Sequence, residues 1–266
     1  MGANKNRHKT VEKALHFQRA LTDMLKILFL TDLHFNNEKR QESAYYKRVE
    51  QLLFSVALPH EFDALVVTGD FTSHGAPEEF RQARSFLETL YKKMRLPVTR
   101  VYLCPGNHDA DKPWSNSGFE HYRDFLQDIY RGKTPDLIDK DGMTYAFYSF
   151  QTCSRTSLED FDDGFVLDAE IRRMDTRQPD LCQIALLHHQ PEVLLNQNKW
   201  ETLQERADIT LHGHLHPDEP VMQKAGDTIS ITGMAIYPHL PDIQRGFQIL
   251  TLDEKKVVDV QKIICT

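Results

Sequence analysis

Short apolar runs punctuate an otherwise polar chain at 25–31, 63–68, 99–103, 145–150, 182–187 and 207–211. Each is too short for a buried helix and gives way to Gly, Asp, Asn or His, which predicts buried strands. Between several of them the apolar spacing changes to three and four, over about 41–58, 77–94, 118–130 and 192–205, and predicts helices. In 77–94, Pro77 suits a first helical turn, Glu78 and Glu79 come next, and Phe80, Ala83, Phe86, Leu87 and Leu90 fall on one face. Strands alternating with helices predict a largely parallel, covered sheet. The C-terminal stretch turns to β patterns at 228–232, 246–252 and 256–264, with no helix between them. Residues 1–23 are polar, with a weak helical pattern through Val11, Leu15 and Leu21. They are expected to be an N-terminal extension: a leader, an upstream start or a helix that docks a partner. The fold is then one domain, 24–266, without internal repeats.

Composition narrows the functional classes. Of 266 residues, 40% are hydrophobic and 27% charged, as in a folded globular protein. Lys plus Arg is 32 against 39 Asp plus Glu, a formal charge of −7. That balance excludes a generic, charge-driven binder of nucleic acid. It leaves room for an enzyme that holds phosphate through metal ions. No apolar run approaches the roughly 20 residues that span a bilayer, so no membrane association is expected, and the basic N-terminus has no apolar signal core. Cys104, Cys153, Cys182 and Cys265 form no C-x-x-C pair. The expected setting is the reducing cytoplasm.

The residues just beyond each strand carry the chemistry. The segments are Asp32-Leu33-His34, Gly69-Asp70, Gly106-Asn107-His108-Asp109, His188-His189-Gln190-Pro191 and Gly213-His214-Leu215-His216. In open α/β sheets, ligands bind beyond the carboxyl ends of the strands. Five strand ends thus deliver oxygen and imidazole donors, with no thiolate, to one edge. The set suits two ions of the manganese, iron or zinc kind sharing a hydroxide. Each segment alone also reads as an ordinary turn or a packed histidine; the conjunction, in order and always at strand ends, is what points to a site.

These motifs resemble the calcineurin-like metallophosphoesterase superfamily, whose signature runs D-x-H, GD, GNH(D/E), H and GHxH, over about residues 25–252. The resemblance implies an α/β four-layer sandwich, two mixed β-sheets flanked by helices. It assigns one metal to Asp32, His34, Asp70 and His216, and a second to Asp70, Asn107, His188 and His214, with Asp70 bridging. His188 is preferred to His189, which remains the alternative ligand. His108 resembles the family residue that contacts the scissile phosphate and protonates the leaving oxygen; Asp70 and Asn107 join it as catalytic residues. Asp109 is expected to support the ligands, or simply to form the turn. The implied cofactors are two divalent ions, manganese first, with iron or zinc as alternatives. They acidify a shared water from a pKa of 15.7 to roughly 7, and the hydroxide attacks phosphorus in line.

Departures from the signature choose the branch. Protein phosphatases carry G-D-x-V-D-R-G, whereas this chain has Ser73 and His74 where that motif has Asp and Arg. His74 reads as a turn residue or as an offset match to repair nucleases of the superfamily. Gly69-Asp70-Phe71-Thr72, Pro77-Glu78-Glu79-Phe80 and His188-His189-Gln190-Pro191 are most similar to bacterial class III cyclic-nucleotide phosphodiesterases. The expected function is hydrolysis of phosphodiester bonds in a nucleotide-like substrate. The alternatives are a DNA or RNA nuclease module in a larger, defence-type assembly, a phosphomonoesterase, and a non-catalytic scaffold. A protein partner and the oligomeric state stay open. Segments 111–142 and 151–167 are the ones long enough to shape a pocket. Trp114, Phe119, Tyr122 and Tyr130 offer either a stacking surface for a base or, with Phe125, Leu126 and Ile129, a packed helix face. Arg155 is a candidate phosphate contact beside the acidic run Glu159, Asp160, Asp162 and Asp163. Tyr237 and His239 are candidates for the edge of the site.

Overall fold

The computed structural model describes residues 24–36, 40–111, 118–153, 162–237 and 243–265, the backbone alone at 40–43 and 45. The expected extension at 1–23, Trp114, Arg155, Glu159, Asp160 and His239 lie outside these residues.

Two sheets form. In the first, β1 (Leu25–Leu30), β2 (Ala64–Thr68) and β3 (Val101–Cys104) run parallel, and β10 (Gly246–Asp253) and β11 (Lys256–Ile264) extend it antiparallel, in the order β11-β10-β1-β2-β3. The second contains β4 (Ile138–Lys140), β5 (Met143–Ser149), β6 (Leu181–Leu186), β7 (Ile209–His212), β8 (Val221–Ala225) and β9 (Thr228–Thr232). Its order is β4-β5-β6-β7-β9-β8, parallel in the middle with antiparallel edges at β4 and β8. Helices α1 (Arg40–Val56) and α2 (Pro77–Lys93) are the crossovers of the first sheet, and α3 (Glu120–Tyr130) comes after β3. The short α4 (Asp168–Ile171) and α5 (Gln197–Gln204) precede β6 and β7.

Alternation along each strand sorts the side chains into layers. Leu25, Ile27, Phe29, Ala64, Val66 and Tyr102 meet Tyr145, Cys182, Ile184, Leu186, Ile209, Leu211 and Ile231 between the sheets. Leu28, Leu30, Leu65 and Val67 face the other way and pack on Val49 and Leu53 of α1 and Phe80, Ala83, Leu87 and Leu90 of α2. Ala185 and Leu187 pack on Ile171 of α4 and Trp200 and Leu203 of α5. The architecture is the expected four-layer sandwich of two mixed sheets flanked by helices.

The alternation of elements alone predicts one largely parallel sheet; the chain builds two. Strands buried on both faces show no period that assigns them to a sheet. The helix expected at 192–205 is confined to 197–204. Tertiary bonds claim its first turn: Leu194 bridges Gly164, and the Asn196 amide pairs with both backbone groups of Val166. Phe119, Tyr122, Phe125 and Ile129 are buried against the first sheet's helices, so they form a packed helix face and not a stacking surface.

Candidate metal centre

Every motif segment begins where its strand stops, and after β1, β2 and β7 the backbone explains why the strands stop there. Asp32, His34, Asp70, His214 and His216 all have φ between 45° and 70°. A left-handed residue costs an L side chain about 1–3 kcal/mol and ends a strand. The conformation at alternate positions turns Asp32 and His34 one way while Leu33 between them is buried in the core. The loops after β1 and β2 then run side by side: the backbone N–H groups of Asp32, His34 and Phe35 donate to the carbonyls of Gly69, Asp70 and Phe71 at 3.1, 2.9 and 3.0 Å.

Glycine is required where the loops meet. A Cβ on Gly106 would strike Asp70 Oδ1 and the Asp70 backbone nitrogen, and one on Gly213 would strike Thr31 Oγ1 and Asp32 Oδ2. The close approach brings together strand ends from both sheets.

The predicted side chains converge. Asp32 Oδ1 lies 3.0 Å from His216 Nε2 and 3.8 Å from His34 Nε2. Asp70 Oδ2 lies 3.5 Å from His34 Nε2 and 3.3 Å from His188 Nε2. His188 Nε2 is 2.9 Å from Asn107 Oδ1, and its Nδ1 is 2.8 Å from the Thr68 carbonyl. Three overlapping groups, Asp32-His34-His216, His34-Asp70-His108 and Asp32-Asp70-His188, each have ligand atoms within 4.8 Å of one another. His214 donates its backbone N–H to Asp32 at 3.2 and 3.3 Å, and its ring centre is 5.2 Å from that of His188. The structure sets His188, and not His189, against Asp70 and Asn107. His189 turns to Thr152 Oγ1 at 2.9 Å.

Electrostatics shows what such a cluster needs. Asp32 is fully buried and Asp70 is 2% exposed, and among the described residues neither pairs with Lys or Arg. Burial alone would raise the Asp32 carboxyl, but His216, by charge and hydrogen bond, and His188 hold it well below its usual range. Burial likewise opposes ionisation of Asp70, and His188, His108 and His34 outweigh it. In return, and against its own burial, His188 is pushed up to about 9, chiefly by Asp70. Burial and His188 push His214 down to about 4. Two buried carboxylates that draw protons onto neighbouring imidazoles want positive charge. The oxygen and imidazole donors around them fit divalent cations of the manganese, iron or zinc kind.

Supporting residues surround this cluster, and the sequence did not single out Thr31, Tyr46, Thr210 or His212. Thr31 Oγ1 donates to Asp32 Oδ2 at 2.6 Å. Ser73 Oγ donates to the His34 carbonyl at 3.0 Å, and the Tyr46 hydroxyl donates to the Leu33 carbonyl at 2.8 Å. Tyr237, expected at the edge, gives its backbone N–H to the Asp32 carbonyl at 2.9 Å. His212, fully buried at the end of β7, donates from Nδ1 to the His189 carbonyl at 2.9 Å and accepts from Thr210 Oγ1 at 2.8 Å. Polar residues such as Thr31, Thr210 and His212 inside apolar runs were the available signal. Asp109 ties the second and third loops, accepting from the Thr72 and Gly106 N–H groups at 3.0 and 2.9 Å. Burial and Asp70 push its carboxyl up to about 7. His74, read as a turn residue or an offset match to the repair nucleases, sets its Nδ1 2.9 Å from Glu79 Oε1.

The calcineurin-like phosphoesterase family model matches residues 25–218, which include all five motif segments. The chain belongs to the calcineurin-like phosphoesterase family. As a phosphoesterase it is a hydrolase of phosphoric esters. The 3′,5′-cyclic-nucleotide phosphodiesterase alr5338 of Nostoc sp. is 24% identical over 214 residues, 73% of this chain and 72% of that protein. An archaeal phosphodiesterase aligns with 90% of this chain and 99% of its own at 11% identity, with a TM-score of 0.46. The sulfate thiohydrolase SoxB of Thermus thermophilus shares the fold at 12% identity and a TM-score of 0.50, over 90% of this chain and 56% of its own. Among the described residues no helix is long and apolar enough to cross a membrane.

Proposed function

We propose that this phosphoesterase hydrolyses phosphodiester bonds in nucleotide-like substrates, with two divalent cations, manganese first, held by Asp32, His34, Asp70, Asn107, His188, His214 and His216. The observation that carries the reading is the pair of buried carboxylates, Asp32 and Asp70, surrounded by imidazoles and lacking a lysine or arginine partner among the described residues. Asp70 would serve both cations in this reading, since His34 and His188 flank one of its oxygens at 3.5 and 3.3 Å. The chemistry such cations would supply when bound is a water acidic enough to attack phosphorus near neutral pH and positive charge against the phosphoryl oxygens.

The chain's own residues do the rest. Asp70 Oδ1 accepts the His108 backbone N–H at 2.8 Å, which fixes that residue beside the cluster. His108 Nδ1 donates to the Ser73 carbonyl at 3.0 Å, so Nε2 is the nitrogen that exchanges a proton with the leaving oxygen. The third loop presents Asn107, a neutral oxygen donor, to His188.

The Nostoc relative's name and the net charge of −7 both support a small nucleotide over a long polyanion. Cys104, Cys153 and Cys182, buried and in no disulfide, suit a reducing, cytoplasmic setting. A substrate panel with Mn²⁺ tests the reading: cyclic nucleotides, dinucleotides, single- and double-stranded DNA, RNA and a phosphomonoester. Fastest turnover of a cyclic nucleotide or dinucleotide is expected. Cleavage of long DNA or RNA alone would replace the reading with a nuclease, and hydrolysis of the monoester alone with a phosphomonoesterase.

A further inference from the structure

Glu79 sits in the first turn of α2, outside the metal cluster, and is 2% exposed. Its two carboxylate oxygens are both engaged by one residue. Oε2 accepts the His74 backbone N–H at 2.8 Å, and Oε1 lies 2.9 Å from His74 Nδ1. The peptide that supplies this N–H is the one joining Ser73 to His74, and its carbonyl is the acceptor for His108 Nδ1 at 3.0 Å. One amide group thus has Glu79 on its N–H and His108 on its C=O. The same peptide is anchored from the metal side, because Ser73 Oγ donates to the His34 carbonyl.

From this arrangement we infer that Glu79 is a positioning residue for His108, acting through the Ser73–His74 peptide. A carboxylate accepting from an amide N–H polarises that amide and makes its carbonyl a better acceptor, as hydrogen bonds in a chain strengthen one another. The stronger acceptor holds the proton on His108 Nδ1 and fixes the ring's orientation, which directs Nε2 to the leaving oxygen. His74 caps the other carboxylate oxygen. Its side chain is 47% exposed, so the clamp is assembled at the surface and reaches inward through one peptide. The inference rests on the proposed role of His108 as the acid and adds a residue from the helix to it.

The test uses the Mn²⁺-loaded full chain and aryl phosphodiesters of graded leaving-group basicity, from p-nitrophenyl to phenyl. His108→Gln is expected to lose about 10²–10⁴ in kcat on the most basic leaving group and much less on p-nitrophenyl. Glu79→Gln is expected to lose about 10-fold on the basic end alone, with KM and metal content unchanged. Adding Glu79→Gln to His108→Gln is expected to change nothing further. His74→Leu, at an exposed position, removes one half of the clamp and should show the same selective loss even where Glu79→Gln fails to fold. An equal loss along the whole series, or none, in both Glu79→Gln and His74→Leu would overturn the inference while His108→Gln still steepens the dependence. A flat response in His108→Gln would instead overturn the acid role itself, and the inference with it.

Discussion

His216 Nε2 lies 3.0 Å from Asp32 Oδ1, although 184 positions separate the two residues in the chain. Asp32 lies just past β1 in the first sheet and His216 just past β7 in the second, so the contact closes the gap between the two sheets at their carboxyl ends. It is made by two residues that both take left-handed backbone. The shape of the cluster therefore depends on both sheets and on loops held in left-handed backbone.

Replacing Asp70 tests the bridge. Asp70→Ala removes the carboxylate that His34 and His188 share. Mn²⁺-dependent hydrolysis of bis-p-nitrophenyl phosphate is expected to fall to background. His108→Ala is expected to lose about 10²–10⁴ on phosphodiesters with basic leaving groups. Rates unchanged in both would mean that the hydrolysis belongs to another site or a contaminant.

Chelation should show in stability as well as in rate. An ion that binds only the folded chain stabilises it by about 2.7 kcal/mol at 100 times its Kd. For a chain of this size that is about 5 °C in Tm. Differential scanning with and without EDTA is expected to show a shift of that order, and Asp70→Ala should abolish most of it.

Gly106→Ala probes the close approach of the second and third loops. The added Cβ would meet Asp70 Oδ1 and the backbone beneath it. Such overpacking typically costs about 1–3 kcal/mol, and here it displaces Asp70 itself. Loss of Mn²⁺ affinity with a lower Tm is expected. Gly132→Ala strains a left-handed position (φ 77°) but its Cβ would meet nothing within 4 Å, so it controls for a general loss of stability. Equal Mn²⁺ affinities in both variants and the parent chain would refute the steric account.

His212 gives a pH dependence. Burial pushes it from an ordinary 6.5 down to about 4. Between these values the unfolded chain binds a proton that the folded chain refuses, so stability falls as pH drops from about 6.5 to about 4. The full contribution is about 3 kcal/mol. His212→Asn keeps a donor for the His189 carbonyl and cannot titrate. Urea melts of the chelated protein at pH 7 and pH 4.5 are expected to differ less in His212→Asn than in the parent chain.

The strand ends were legible because their chemistry is local: Asp-x-His, Gly-Asp, Gly-Asn-His-Asp and His-x-His each stand within a few residues. The sandwich was legible only through the resemblance those motifs carry. The edge strand β8 escaped the hydrophobic pattern because Val221 and Met222 are exposed, leaving no buried face to mark it. Glu79 read simply as a favourable acid in a helix's first turn. Its hold on His74 spans only five positions, but the further link to His108 depends on where the third loop arrives, which no spacing in the chain encodes. The choice between His188 and His189 likewise turns on Asn107, 81 positions away from His188.

Carboxylates, imidazoles and the Asn107 amide, delivered by five strand ends, are expected to hold two cations. Calorimetric titration of the chelator-treated chain with Mn²⁺, with elemental analysis of the reloaded protein, tests it most directly. About two ions per chain are expected, as in two-metal hydrolases, with stoichiometry reduced in Asp70→Ala and in Asp32→Ala. No saturable Mn²⁺, Fe²⁺ or Zn²⁺ binding, or full stoichiometry in both variants, would contradict the account.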